Sequence, residues 1–180
     1  MSFDQSINAI SARIAVILPC YNEAAAIGDV VRDFRAALPE AVVYVYDNNS
    51  RDDTAARARE AGAVVRRETR QGKGHVVRRM FADVEADIYV LADGDGTYDA
   101  GSAPDMVDRL VAEWLDMVVG SRLTAYEGEA FRRGHRFGND LLTGFLGLCF
   151  GRTFTDILSG YRVFSRRYVK SFPALSKGFE

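Results

Sequence analysis

Residues 88–99 read Ile-Tyr-Val-Leu-Ala-Asp-Gly-Asp-Gly-Thr-Tyr-Asp. The first five are apolar, a length that suits a strand buried on both faces and falls short of a helix. Acids and glycines, residues that break regular structure, follow at once. The same rhythm extends outward in both directions. Upstream, residues 75–86 place Val76, Val77, Met80, Phe81 and Val84 on one helical face, and Ala63 to Arg66 read as a short strand before them. Asp52 and Asp53 open an Ala/Arg-rich helix, where acids suit the positive end of the helix dipole, and Gly62 stops it. Ala41 to Tyr46 form another strand. Residues 23–38 carry Ile27, Val30, Val31, Phe34 and Leu38 at helical spacing, and Arg13 to Leu18 form the first strand, ended by Pro19. Downstream come a helix over Ala103 to Trp114 and a fifth strand over Asp116 to Gly120. Strands alternating with helices of about 10–15 residues predict an α/β domain whose mostly parallel sheet is covered on both faces. There is no internal repeat and no linker, so residues 1–180 read as a single domain.

Ligands of such sheets bind at the carboxyl ends of the strands. The loops there are Pro19-Cys20-Tyr21-Asn22-Glu23, Asp47 to Asp53, Asp93 to Asp99 and Gly120-Ser121-Arg122. Three of the four carry acids. A dinucleotide site wants G-x-G-x-x-G after the first strand, and Glu23 there would repel a phosphate. Gln71-Gly72-Lys73-Gly74-His75 has a Gly-Lys pair but lacks the remaining Walker A residues. Cys20, Cys149, His75 and His135 share no zinc-ligand spacing. Asp93-Gly94-Asp95 has the chemistry for a hard cation. Mg²⁺ or Mn²⁺ takes a few carboxylates and completes its shell with water and substrate phosphate. The small Gly94 would let a diphosphate approach closely. A D-x-D in isolation is more often an acidic turn; its place at the end of a buried strand beside two other acidic loops favours the metal.

Composition narrows the class. Apolar residues make up 48%, too many for intrinsic disorder, and two cysteines cannot build a disulfide framework, which points to a reducing cytosol. No apolar run reaches the ~18 residues of a membrane span, and no secretory leader is visible. The net charge of −2 divides unevenly, −7 over residues 1–120 and +5 over residues 121–180. That is compatible either with two solvated faces or with two differently charged ligand regions. Nucleic-acid binding is disfavoured, because the half with most of the loop motifs is acidic.

Taken together, the loops resemble those of the family 2 glycosyltransferases of the Rossmann-like GT-A fold. PCYNE matches P-x-Y-N-E. VYDNNSRDDT resembles the hydrophobic-D-D-G-S-x-D-x-T loop, with Tyr46 before Asp47 where an acid is common and Asn49 in place of Gly. RQGKGHVVRRMF resembles G-K-G-x-A, DGDGTYD the D-x-D loop, and VVGSR the G-S-R. The resemblance covers residues 14–166. Within the family it is strongest to the polyprenyl-phosphate sugar transferases of the dolichyl-phosphate mannosyltransferase type, through TDILSGYRVFSRR and the basic GHRFGN lead into a hydrophobic helix.

The resemblance implies roles by position. Pro19, Tyr21, Glu23 and Asp47 would hold the base and ribose of a GDP- or UDP-sugar. Lys73 would approach its sugar or diphosphate. Asp93 and Asp95, with Gly94 between them, would hold Mg²⁺ or Mn²⁺, with Thr97 a candidate third ligand where that type has Gln. Arg122 would meet a phosphate. Tyr21 could instead merely pack, Asp47 cap a turn and Arg122 be a surface charge. The reaction implied is inverting transfer of a hexose to a polyprenyl phosphate by an enzyme peripheral to the cytoplasmic face of the membrane. Arg132, Arg133, Arg136 and Arg162 are candidates for holding the acceptor phosphate, since guanidinium forks match phosphate oxygens. Transfer to a glycan hydroxyl, with Asp156 as the candidate base, and binding of a nucleotide sugar without turnover are the alternatives. Residues 137–150, FGNDLLTGFLGLCF, suit either a core helix or one lying in the membrane interface. Lys177 to Glu180 supply no closing element, so the catalytic domain is expected to continue beyond them.

Overall fold

The computed structural model describes residues 12–120 and 159–171. Its elements run β1 (Ile14–Cys20), α1 (Ile27–Ala37), β2 (Val42–Asp47), α2 (Thr54–Glu60), β3 (Val64–Arg67), α3 (Lys73–Asp83), β4 (Ile88–Leu91), a 3₁₀ turn (Ala100–Ser102), α4 (Ala103–Ala112), β5 (Met117–Val119), β6 (Arg162–Ser165) and α5 (Arg166–Ser171). They form a six-stranded sheet in the order β3-β2-β1-β4-β6-β5. β3, β2, β1 and β4 pair in parallel. β6 runs antiparallel to both β4 and β5, so β5 points the same way as the first four strands. This is the mostly parallel GT-A arrangement that the loop motifs imply.

The period-2 alternation of buried strands fills two cores. Val16, Leu18 and Cys20 of β1 join Val43 and Val45 of β2 and Ile88 and Val90 of β4 beneath α1, α2 and α4. Ala15, Ile17, Tyr46, Tyr89 and Leu91 face the other way, beneath α3 and α5. Helices thus cover both faces. The chain builds outward from β1 through β2 to β3, then returns to add β4 on the other flank of β1. That reversal opens a crevice between the carboxyl ends of β1 and β4, where sheets of this kind place their ligands.

Several boundaries differ from the sequence pattern; α3, for instance, spans Lys73–Asp83 rather than 75–86, and three other differences have a visible local cause. β1 does not stop at Pro19 but continues to Cys20. β1 pairs with β4 only through Ile17, and Ile17 O, which accepts Ala92 N, points to that side. By alternation Pro19 points there too, beyond the end of β4, where its missing N–H breaks no ladder bond. The first helix starts at Ile27 rather than residue 23. Glu23 N and Ala24 N donate instead to Thr54 Oγ1 at 2.8 Å and Asp52 Oδ2 at 3.1 Å, tying this stretch to the start of α2. α4 ends at Ala112, followed by Trp114 in the left-handed region at φ +53°.

Candidate active site

The crevice is built from strand ends. From β4 come Asp93, Gly94 and Asp95. From β1 comes Glu23, and the start of α3 contributes Lys73, whose Nζ pairs with Asp93 Oδ1. Lys73 and Asp93 therefore meet directly and Glu23 Oε2 lies against Gly94, although 70 positions separate Glu23 from Asp93 in the chain.

Gly94 sits where a side chain cannot. A Cβ there would overlap Glu23 Oε2 and approach Cys20 Sγ to 2.5 Å. The space left by the missing side chain is filled by Glu23 and Cys20, a packing reason for glycine that stands beside the expected approach of a diphosphate. Glu23 Oε2 is buried and accepts no hydrogen bond among the described residues. The thiol beside it donates elsewhere, to Leu18 O at 3.6 Å. Burial is the main reason that the Glu23 carboxyl is pushed up to about 7, with Asp95 and Asp93 adding to the rise and Lys73 opposing it. Burial first, then the Glu23 charge, raises the Cys20 thiol well above its usual value, so it stays neutral.

Thr97 donates to Asp95 Oδ1 twice, from N at 3.0 Å and from Oγ1 at 2.7 Å. Its hydroxyl orients Asp95. On the other side of the loop, Gly160 N donates to Tyr98 OH at 2.7 Å, and a Cβ on Gly160 would sit 2.7 Å from Asp93 Oδ2. Ser159 Oγ, which donates to Gly120 O at 2.5 Å, accepts from Tyr161 N at 3.2 Å. The Ser159-Gly160-Tyr161 turn therefore packs straight onto the D-x-D loop. Ser159, Gly160 and Tyr98 are absent from the sequence-derived site. The SGYR motif contains Ser159 and Gly160 and the D-x-D loop contains Tyr98, but nothing in their composition says that the turn backs Asp93.

Asp47 and Tyr21, expected on the nucleoside side, lie at the end of β2 and in the loop after β1. Asp47 is buried and accepts from Ser50 N at 3.2 Å, the turn-capping geometry its position allows. Ser50 Oγ in turn accepts from Asn22 N at 2.9 Å, which joins the loops after β1 and β2. Tyr21 is exposed beside them, whereas Pro19 is buried within β1. Arg162 opens β6 and donates from Nε to Ser159 O at 3.0 Å. Arg122, Arg132, Arg133, Arg136, Asp156 and the 137–150 stretch lie outside the described residues.

The donor set suits a hard divalent cation. Among the described residues no three His, Cys, Asp or Glu side chains form a complete metal cage. Asp93 and Asp95 offer two carboxylates on one loop, and Mg²⁺ or Mn²⁺ characteristically needs only such a pair when a diphosphate and water supply the rest.

A sheet reversing at β1 and β4, with an acidic pair on the β4 loop, defines a GT-A-type domain. The chain belongs to glycosyl transferase family 2, whose family model matches residues 15–172. It is 55% identical over 126 residues to Protein RfbJ of Shigella flexneri, covering 70% of this chain and 98% of that protein. It is 38% identical over 167 residues to the glycosyltransferase AglJ of Haloferax volcanii, covering 92% of this chain and 54% of that one. A dolichyl-phosphate hexose transferase of the same organism is 31% identical over 153 residues, covering 85% of this chain and 66% of that protein. Among solved structures, glucosyl-3-phosphoglycerate synthase from Mycobacterium tuberculosis superposes with a TM-score of 0.75 at 27% identity, over 95% of this chain and 62% of that one. The same enzyme has been crystallised with Mn²⁺ and UDP-glucose. The chain thus spans nearly all of RfbJ but about half of AglJ.

Proposed function

We propose that this protein transfers a hexose, with inversion, from a UDP- or GDP-sugar to a polyprenyl phosphate at the cytoplasmic face of a membrane. The observation that carries the reading is the convergence of Asp93, Lys73 and Glu23, with Asp95 beside them, at the β1–β4 crevice. The name of the dolichyl-phosphate hexose transferase supports a lipid-phosphate acceptor. The Mn²⁺ and UDP-glucose complex of the mycobacterial synthase supports a metal-dependent nucleotide-sugar donor.

Asp93 and Asp95 would hold Mg²⁺ or Mn²⁺, which when bound offsets the charge that grows on the departing nucleoside diphosphate. Lys73 brings a further positive charge to that side. Tyr21, Glu23 and Asp47 line the nucleoside side, over Pro19. Thr97 keeps Asp95 turned for its task. A phosphate acceptor is an anion at neutral pH, so no general base has to be assigned. It needs cations, and Arg122, Arg132, Arg133, Arg136 and Arg162 are assigned to the phosphates. Among the described residues no helix is long and apolar enough to cross a membrane, so the membrane contact is assigned to the basic half and the 137–150 stretch.

A thermal-shift screen of UDP- and GDP-sugars with and without Mn²⁺ tests the donor. A ligand at 100 times its Kd stabilises by about 2.7 kcal/mol, enough to shift the transition by several degrees. The expected result is stabilisation by one nucleotide class that EDTA abolishes. No shift with any donor would count against the reading. Transfer of labelled sugar to a short-chain polyprenyl phosphate, and none to a glycan hydroxyl, then tests the acceptor.

A further inference from the structure

Asn48 follows β2 directly and is buried, with 3% of its surface exposed. A carboxamide has two N–H donors and an oxygen with two acceptor positions. Every one is used, and all on a single segment. Nδ2 donates to Glu68 O at 2.9 Å and to Arg70 O at 2.8 Å. Oδ1 accepts from Gly72 N at 2.8 Å and from Gln71 Nε2 at 3.3 Å. Its backbone N donates to Cys20 O at 2.8 Å, so the same residue is also fixed to the end of β1.

The segment it grips, residues 68–72, links β3 to α3. α3 has no side-chain cap, and Gly72 in front of it holds φ at +126°. The first residue of α3 is Lys73, whose Nζ meets Asp93. The chain of contacts runs from β2 through Asn48 and Gly72 to Lys73 and then to the D-x-D loop. Other bonds hold the segment too: Asn49 Nδ2 donates to Thr69 O at 2.9 Å and to Gln71 Oε1 at 3.3 Å, Arg70 N to Glu68 Oε1 at 2.7 Å, and Glu68 N to Asp47 O at 3.0 Å, but among the described residues only Asn48 bonds the Gly72 amide in front of α3.

We propose that Asn48 is a positioning residue for the donor site. Its carboxamide folds the 68–72 segment against β2 and thereby sets Lys73 over Asp93. It touches neither metal nor substrate. The assignment rests on the donor-site reading above. Aspartate is the same size but has no N–H to donate, so Asn48→Asp turns two attractive contacts, to Glu68 O and Arg70 O, into repulsive ones.

Two measurements test it. The first is hydrogen exchange in the wild-type protein. Gly72 N–H lies at a helix start, where amides normally lack partners. Its bond to buried Asn48 Oδ1 should protect it at least 100-fold relative to an unstructured peptide. An unprotected Gly72 amide overturns the assignment, whatever the protein's substrate. The second is calorimetric titration with Mn²⁺ plus UDP and Mn²⁺ plus GDP. Asn48→Asp should raise Kd about tenfold for the nucleotide that binds. Val31→Ala, a core truncation in α1, should leave Kd within twofold at similar loss of Tm. In a Lys73→Ala background, Asn48→Asp should cost less than twofold, because the group it positions is gone. A full tenfold loss there, or equal weakening by Val31→Ala, overturns the assignment. Should wild-type protein bind neither nucleotide, the donor reading fails and the Gly72 amide alone decides the role of Asn48.

Discussion

Glu23 shows how one atom can set opposite demands on stability and function. Its Oε2 is buried without a hydrogen-bond partner among the described residues, and its carboxyl is pushed up to about 7 from 4.5. A raised acid is held neutral in the folded state while the unfolded chain ionises near its ordinary value. Between about pH 4.5 and pH 7 the unfolded state therefore loses its proton first, and folding stability falls as pH rises through that window. In metal-free protein with EDTA present, Glu23→Gln should remove this slope. It should leave stability unchanged near pH 4 and increase it by on the order of 2 kcal/mol at pH 8, discounted for partial exposure. Urea midpoints across that range would check it, and parallel slopes for both proteins would refute it. The neighbouring acids are the ones the proposed function assigns to the cation. Asp93→Asn and Asp95→Asn each remove a charge assigned to the cation and should lower kcat about 100-fold, the scale of roughly 3 kcal/mol of lost charge stabilisation. Both should also abolish the Mn²⁺ dependence of donor-induced thermal shifts.

Among the elements, the parallel strands were legible and β6 was not. β1, β2 and β4 are β-branched or aromatic runs, β1 ending at Pro19-Cys20 and β2 and β4 running into acids, so both the strand and its functional loop can be read locally. β6 is four residues, Arg162–Ser165, and only Val163 and Phe164 among them are buried. Its pairing with β4 and β5 defines it, and that information lies over 40 positions away in the chain. The same holds for Asn48. In sequence, Asn-Asn after a strand reads as turn chemistry, whereas the structure spends its side chain on residues 20 and more positions downstream. The turn before β6 carries a testable consequence. A methyl at position 160 would lie 2.7 Å from Asp93 Oδ2 and 3.1 Å from Tyr98 OH. Gly160→Ala should displace Asp93 from Lys73 and cut activity at least tenfold, while its Tm falls by only a few degrees. An active Gly160→Ala enzyme would mean that the turn and the D-x-D loop are not coupled.

At the scale of the whole molecule, the near-neutral net charge of −2 is the sum of two sections of opposite sign, which the proposed function assigns to donor and acceptor. The section holding −7 carries the β1–β4 crevice and its carboxylates, and within it the basic residues of 66–79 are partly drawn into pairs such as Arg66 and Arg79 with Asp83 and Lys73 with Asp93. The section holding +5 carries Arg122, Arg132, Arg133, Arg136 and Arg162, the residues assigned to phosphates. Donor and acceptor recognition should therefore separate under mutation. Replacing Arg132 and Arg133 together by Ala should raise the KM for a polyprenyl phosphate about tenfold or more, since charge-assisted bonds to phosphate are worth roughly 1.5–3 kcal/mol each, and should leave donor KM within twofold. Asp47→Asn should do the reverse. The same double arginine variant should float less well with anionic liposomes, and added salt should abolish the difference between it and wild type, because exposed charges are screened beyond about 8 Å at physiological ionic strength. An acceptor KM unmoved by the arginine pair would sever the basic half from the chemistry. Loss of flotation without a change in acceptor KM would assign those arginines to the membrane surface alone.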